Sequence, residues 1–197
     1  MWVVCLSPAH AQLLLDRIVA RVGGVAITET DVRAAIGLGI LELPDGADPL
    51  ADGARAMIDR RLVLLEVNRF PPADPGEAAI ADIVAAMKLR AGSQYQALVQ
   101  SNGLDDERLR ELARETANIQ AYVTQRFGAT AQAGLQDARD YYDKHPAEFT
   151  RNGTLLPFAQ VETAARAAAS SERRRTAIAQ WIVDLRARGD VVETRRP

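Results

Sequence analysis

The sequence is poor in the side chains that most often carry chemistry. Its 197 residues include one cysteine, Cys5, and two histidines, His10 and His145. Neither histidine has partner residues at the spacing of a metal site or of a general base with its nucleophile. We therefore expect no catalytic residues, no metal and no cofactor. We interpret His145, which precedes Pro146, as a cap at the end of a helix.

Aromatic residues and net charge are also scarce. Aromatic residues make up 5% of the chain, and the formal net charge is -2 although 25% of the residues are charged. This balance gives no electrostatic attraction to nucleic acid or to an anionic membrane surface. No apolar run approaches the roughly 20 residues that a membrane-spanning helix needs. The composition indicates a soluble globular protein with no nucleic-acid partner and no stable membrane insertion.

The first eleven residues have the features of a shortened export signal. Residues 2–6 are apolar, Ser7-Pro8 interrupts them, and Ala9-His10-Ala11 has the small-x-small pattern that precedes signal-peptidase cleavage. We interpret 1–11 as the remainder of a secretory signal whose true start lies upstream, with cleavage after Ala11. The alternative is an ordinary N-terminal tail. Export predicts a periplasmic protein, and the mature chain would then contain no cysteine.

A strand, a turn, a second strand and a helix cap follow in residues 16–32. Ile18, Ala20 and Val22 alternate with Arg17, Val19 and Arg21, which predicts a strand with Ile18, Ala20 and Val22 on one face. The Gly23-Gly24 pair permits the positive φ angles of a tight hairpin. Thr28 and Asp31 have the spacing of a capping box, which indicates that a helix begins there.

Most of the remaining sequence has helical periodicity. Apolar residues recur at three- and four-residue intervals, and Pro, Gly and Asn-Gly pairs separate the segments. The predicted helices are 30–43, 52–70, about 80–91, a short one around 95–101, 105–127, 135–144 and 158–188; a short strand is predicted at 190–194. The expected fold is mainly α, with a small β element formed by the N-terminal hairpin and the C-terminal strand.

These segments, in this order, resemble the SurA-like periplasmic chaperones. The resemblance begins with DRIVARVGGVAITETDV at 16–32 and continues through IDRRLVLLE at 58–66 and YQALVQSNGL at 95–104. It includes ARDYYDKHPAEF at 138–149, which is similar to the linker that leads into a parvulin-type prolyl isomerase domain. In this chain only a few residues separate that linker from PFAQV at 157–161, so the isomerase domain is missing. The C-terminal 179–192 resembles the returning helix and strand.

The resemblance implies a helical chaperone core at 12–128, completed by a linker helix, a C-terminal helix and a strand at 129–197. It implies ATP-independent binding of unfolded outer-membrane or secreted proteins in an apolar groove, without enzymatic activity, and it leaves a homodimer open. Two alternatives remain. The chain could be a structural or interaction subunit that holds one folded envelope partner, or a divergent prolyl isomerase.

The client-binding candidates are residues whose soft or aromatic side chains adapt to varied ligands. The alternative is that these side chains pack the core, because their spacing is helical. The six candidates are Met57, Met87, Tyr95, Tyr141, Tyr142 and Phe149.

Overall fold

The structure, a computed structural model, describes residues 16–129 and 131–194. The predicted signal at 1–11 lies outside these residues. The strands are β1 (Ile18–Val22), β2 (Val25–Thr28), β3 (Thr150–Arg151), β4 (Thr154–Leu155) and β5 (Val191–Glu193). The α-helices are α1 (Glu29–Gly37), α2 (Pro49–Arg69), α3 (Gly76–Ala91), α4 (Tyr95–Ser101), α5 (Asp106–Phe127), α6 (Leu135–Lys144) and α7 (Phe158–Arg188).

A three-stranded antiparallel sheet joins the two ends of the described chain, in the order β2-β1-β5. Gly23 and Gly24 connect β1 to β2 with φ angles of 57° and 78°, which a residue without a Cβ adopts at little cost. Val22 lies opposite Val191, and the Gly23 N–H donates to the Asp190 carbonyl at 3.0 Å. The predicted fold class, mainly α with this small β element, is confirmed.

The simple alternation predicted for β1 is wrong at Val19. The pairing register with β2 shifts between Ile18 and Ala20, so Val19 is the extra residue of a β-bulge. A bulge places two successive side chains toward the same side of a sheet. Val19 and Ala20 are both buried as a result, whereas Ile18 is only half-buried.

The first predicted helix, 30–43, extends six residues beyond the observed end of α1. The capping box at its start is present: the Asp31 N–H donates to Thr28 Oγ1, and the Thr28 N–H donates to Asp31 Oδ2. The helix ends at Gly37, however, because Gly39 turns the chain with a φ of 67°. Arg90 crosses so close to Gly39 that a Cβ there would lie 1.9 Å from the Arg90 Cδ. This turn directs Ile40 back toward the body of the protein.

Three hydrophobic clusters hold the helices together. The first, called the sheet core, joins β1, β2, α2, the C-terminal half of α5 and the C-terminal half of α7. The second, the α3–α5 core, is centred on Leu38, Ile80 and Leu109. The third, the α6–α7 core, combines four alanines with Tyr141 and Phe149.

Helix α7 links the first and third clusters. Its N-terminal half contributes Ala165 and Ala169 to the α6–α7 core, and its C-terminal half contributes Trp181 and Leu185 to the sheet core. Residues 171–177 between them are all exposed. Thirty-one residues give α7 a length of about 46 Å, so one helix spans both clusters. No helix within the described residues is long and apolar enough to cross a membrane.

Candidate functional site

A pocket of about 100 Å³ lies where β2, α1, α2 and α5 meet. The pocket lies at the boundary between two clusters. Ile27 belongs to the sheet core and Met57 packs against it, whereas Ile40 and Leu112 pack against the α3–α5 core. Most of its lining is apolar, with arginines and carboxylates between the apolar groups. The lining residues are Val25, Ala26, Ile27, Asp31, Ala34, Ala35, Ile40, Met57, Arg60, Arg61, Leu64, Leu104, Arg108, Leu112 and Glu115.

Helical spacing explains how three helices contribute these side chains. On α2 the lining residues are Met57, Arg60, Arg61 and Leu64, a spacing of i, i+3, i+4 and i+7 that places them on one stripe. Helix α1 contributes Asp31, Ala34 and Ala35, and α5 contributes Arg108, Leu112 and Glu115, with similar spacing. The two alanines leave the space that a larger side chain would fill.

Arg60 is held by the protein itself. Its Nη2 donates to Thr116 Oγ1 at 3.0 Å and lies 3.5 Å from Glu115 Oε2. The side chain is only 11% exposed. Burial lowers the pKa of the Arg60 guanidinium, and Glu115 partly offsets this effect. Arg60 therefore anchors α2 to α5 and has its charge balanced.

Arg108 and Asp31 are also engaged. Arg108 forms an ion pair with Glu111 on α5. Burial by itself would lower the pKa of the Arg108 guanidinium, but the hydrogen bond that Arg108 donates to Glu111, together with nearby carboxylates, raises this pKa overall. Asp31 accepts hydrogen bonds from the N–H and the hydroxyl of Thr28. The helix cap thus fixes this carboxylate on the pocket wall.

Arg61 differs from its neighbour. Its Nε is buried and has no hydrogen-bond partner, and no carboxylate of the described residues lies within ion-pair distance of its guanidinium. Three guanidinium groups and two carboxylates line the pocket, and Glu111, which pairs with Arg108 from outside the lining, brings the formal charges into balance. Arg61 is nevertheless the pocket guanidinium that has no ion pair among the described residues. An apolar cavity with one unpaired guanidinium can bind an apolar group that carries an acceptor or a negative charge.

The structure distributes the six predicted client-binding residues among three places. Met57 is half-buried and lines the pocket. Met87 is 4% exposed within the α3–α5 core, and Tyr95 packs against that core beneath Lys88. The other three lie in the α6–α7 core. The residues therefore do not form one continuous groove, and client binding by any of them stays a prediction.

The three aromatic candidates at the α6–α7 core have internal partners. The Tyr141 hydroxyl donates to Glu148 Oε1 at 2.9 Å, and the Tyr142 hydroxyl donates to the Leu156 carbonyl at 2.7 Å. Burial raises the pKa of the Tyr141 phenol, and the hydrogen bond to Glu148 raises this pKa further. Phe149 is buried. These contacts give the three residues a role in packing.

His145 lies where the sequence analysis placed it, at the C-terminal end of α6. Its ring stacks on Tyr141 with a centroid distance of 4.0 Å, and its Nδ1 lies 3.0 Å from the Tyr141 carbonyl oxygen. The interpretation as a helix cap is confirmed. Residues 16–129 and 131–194 contain no group of three or more His, Cys, Asp or Glu side chains able to hold a metal ion.

The pocket arginines were missed by the sequence analysis. The only signal was the Arg60-Arg61 pair, which follows Asp59 and precedes the apolar residues 62–65 of α2, at positions where the helical period predicts a buried face. A charged side chain on a buried face needs a polar partner or a solvent-filled cavity. The Arg60-Arg61 pair therefore indicated that α2 borders polar groups or a cavity.

Comparisons with known proteins identify no relative. No family model, no curated protein and no solved structure matches this chain.

Proposed function

We propose that this protein is an ATP-independent periplasmic chaperone that binds unfolded segments of outer-membrane proteins. The observation that supports this function best is the pocket between β2, α1, α2 and α5, which combines apolar walls with an arginine, Arg61, that has no ion pair among the described residues. Such a site binds one apolar side chain and a neighbouring backbone or carboxylate oxygen of the client. Because it contacts so few client groups, it has little sequence specificity. This is the kind of recognition that a binder of many unfolded clients needs.

The connection between Phe149 and Pro157 is consistent with a chaperone that lacks isomerase chemistry. Strands β3 and β4 pair as a two-stranded hairpin, with Thr150 opposite Leu155, and the Leu156 N–H donates to the Phe149 carbonyl at 3.0 Å. In the SurA-like chaperones that the sequence resembles, a parvulin-type domain is expected at this position. Here the chain turns and enters α7.

Binding is expected to be reversible and weak. A client segment loses conformational entropy when it is ordered, and this loss offsets much of the contact energy. The pocket is small, so each encounter buries one side chain rather than a long segment. Release then needs no energy source.

An aggregation assay tests the proposal. The wild-type protein, in molar excess over the client, should suppress aggregation of a urea-unfolded β-barrel protein after dilution. Ala26→Phe, on the half-buried pocket wall of β2, should obstruct the pocket and weaken suppression. Val183→Phe adds the same ring at a site that is 57% exposed on α7 and should have no effect.

The outcomes separate the alternatives. Absence of suppression by a folded wild-type protein, or equal suppression by Ala26→Phe, would contradict the proposal. Saturable binding to one folded envelope protein without any effect on aggregation would favour an interaction subunit. Acceleration of proline-peptide isomerisation, which takes tens of seconds or more without a catalyst, would favour the isomerase.

A further inference from the structure

The pocket holds one guanidinium group, that of Arg61, which has no ion pair among the described residues. The adjacent Arg60 reaches both Thr116 and Glu115, and Arg108 is paired with Glu111. The Arg61 Nε is buried without an acceptor, so a ligand that enters the pocket meets the other nitrogens of this guanidinium. A ligand carboxylate at those nitrogens supplies the missing ion pair.

We propose that this pocket binds an apolar monocarboxylate, with the carboxylate on Arg61 and the apolar group against the alanines and leucines of the wall. A carboxylate matches the planar fork of a guanidinium and forms charge-assisted hydrogen bonds with it. Arg60 and Arg108 are paired with Glu115 and Glu111, so Arg61 is the lining cation that a ligand can pair with. A monocarboxylate brings one negative charge to it, whereas a doubly charged phosphate would bring two beside Asp31 and Glu115.

The volume of the pocket limits the apolar group. The pocket holds about 100 Å³, and a cavity of about 150 Å³ is known to accommodate benzene. The pocket is therefore suited to a branched aliphatic side chain and is too small for an aromatic ring to enter fully. Ala34 and Ala35, both buried on α1, set this limit.

Two sources could supply such a group: the C-terminal residue of a polypeptide, or a free aliphatic acid. The polypeptide source rests on the proposed function, because unfolded clients expose their chain ends. A C-terminal valine or leucine places its carboxylate and its aliphatic side chain on the same carbon, as the proximity of Arg61 to the apolar wall requires. We assign the pocket to this source.

Calorimetry with defined probes tests the assignment on the full chain. The probes are a six-residue peptide that ends in valine with a free carboxylate, the same peptide as a C-terminal amide, the peptide ending in tryptophan, and isovalerate. The free acid should bind about tenfold or more tightly than the amide. The tryptophan peptide and isovalerate should bind more weakly than the valine peptide.

Variants locate the effect. Arg61→Met keeps the aliphatic stem and removes the charge, so it should abolish the preference for acid over amide. Arg61→Lys keeps the charge without the fork and should retain part of the preference. The matched control is Arg55→Met on the same helix, where the native side chain is 58% exposed; it should bind like the wild type. Thermal melting checks that each variant is folded.

Equal binding of acid and amide by the wild type would overturn the inference, even if no Arg61 variant folds. Isovalerate binding as tightly as the peptide would overturn the polypeptide source. If the protein suppresses aggregation but shows no acid preference, this inference fails and the proposed function stands. If the acid preference is present without suppression of aggregation, the proposed function fails and the pocket chemistry stands.

Discussion

The sheet core and the α6–α7 core are built in opposite ways. The buried residues of the sheet core run from Val19 to Leu185 and include Tyr122, Phe127 and Trp181. The buried residues of the α6–α7 core all fall between Ala133 and Ala169, and four of them are alanines. The sheet core is therefore closed by contacts between distant segments of the chain, and the α6–α7 core by contacts within one stretch of the chain, where alanines pack beside a cluster of aromatic rings.

This difference indicates where the protein is cooperative. Loss of one element of the sheet core removes partners from several distant segments at once. Loss of packing in the α6–α7 core should affect only α6 and the N-terminal half of α7. Residues 171–177 of α7, which separate this core from the sheet core, are all exposed and bury no side chain between the two. Local units of this kind open independently of the global transition in many proteins.

The largest effect is expected from deletion of residues 177–197. The deletion removes Trp181 and Leu185 from the sheet core and removes β5 from its pairing with β1. The loss of several large buried side chains should exceed the whole stability of a small domain, roughly 5–15 kcal/mol. Circular dichroism should show no cooperative melting. A variant that keeps the full-length melting temperature would show that the chain ends do not stabilise each other.

A smaller global effect is expected from Trp181→Ala. The indole stacks on Tyr122 and contacts Phe127, with centroid distances of 5.8 and 5.5 Å. Its removal should lower the free energy of unfolding by about 3–5 kcal/mol. Val183→Ala, two residues away and exposed, should change it by less than about 0.5 kcal/mol. Urea denaturation measures both, and similar values for the two variants would be inconsistent with a shared sheet core.

A local effect is expected from Phe149→Ala. Phe149 packs against Tyr141 and Tyr142 in the α6–α7 core. Amide hydrogen exchange should accelerate in α6 and in the N-terminal half of α7, while β1 and α2 keep their protection. Leu155→Ala, on the exposed strand β4, is the control and should leave both regions unchanged. Equal acceleration in β1 would contradict the independence of the two cores.

The sequence predicted the features that depend on neighbouring residues. The capping box of Thr28 and Asp31, the Gly23-Gly24 turn and the span of α7 follow from local hydrogen bonding and periodicity, and all three are present. The β-bulge at Val19 and the early end of α1 were missed. The bulge depends on the pairing of β1 with β2. The early end of α1 is followed by the turn at Gly39, which Arg90 of α3 approaches closely.

The pocket illustrates the same limit. Arg60 and Arg61 are adjacent in sequence and equal in chemistry, yet within residues 16–129 and 131–194 only Arg60 of the two has hydrogen-bond and ion-pair partners, because the packing of α2 against α5 brings Thr116 and Glu115 to it. Helix packing, rather than residue type, decides which arginine is left without an ion pair. Of the six residues predicted to bind clients, Met57 alone lines this pocket.

Methionine methyl NMR tests most directly the claim that clients enter the pocket. Only two methionines lie among the described residues: Met57 on the pocket wall and Met87 in the α3–α5 core. Met57→Leu assigns the resonances, and an unfolded β-barrel segment with a C-terminal valine is the titrant. The account predicts that the Met57 methyl resonance shifts on binding while that of Met87 does not. Binding of the segment with an unchanged Met57 resonance would contradict it.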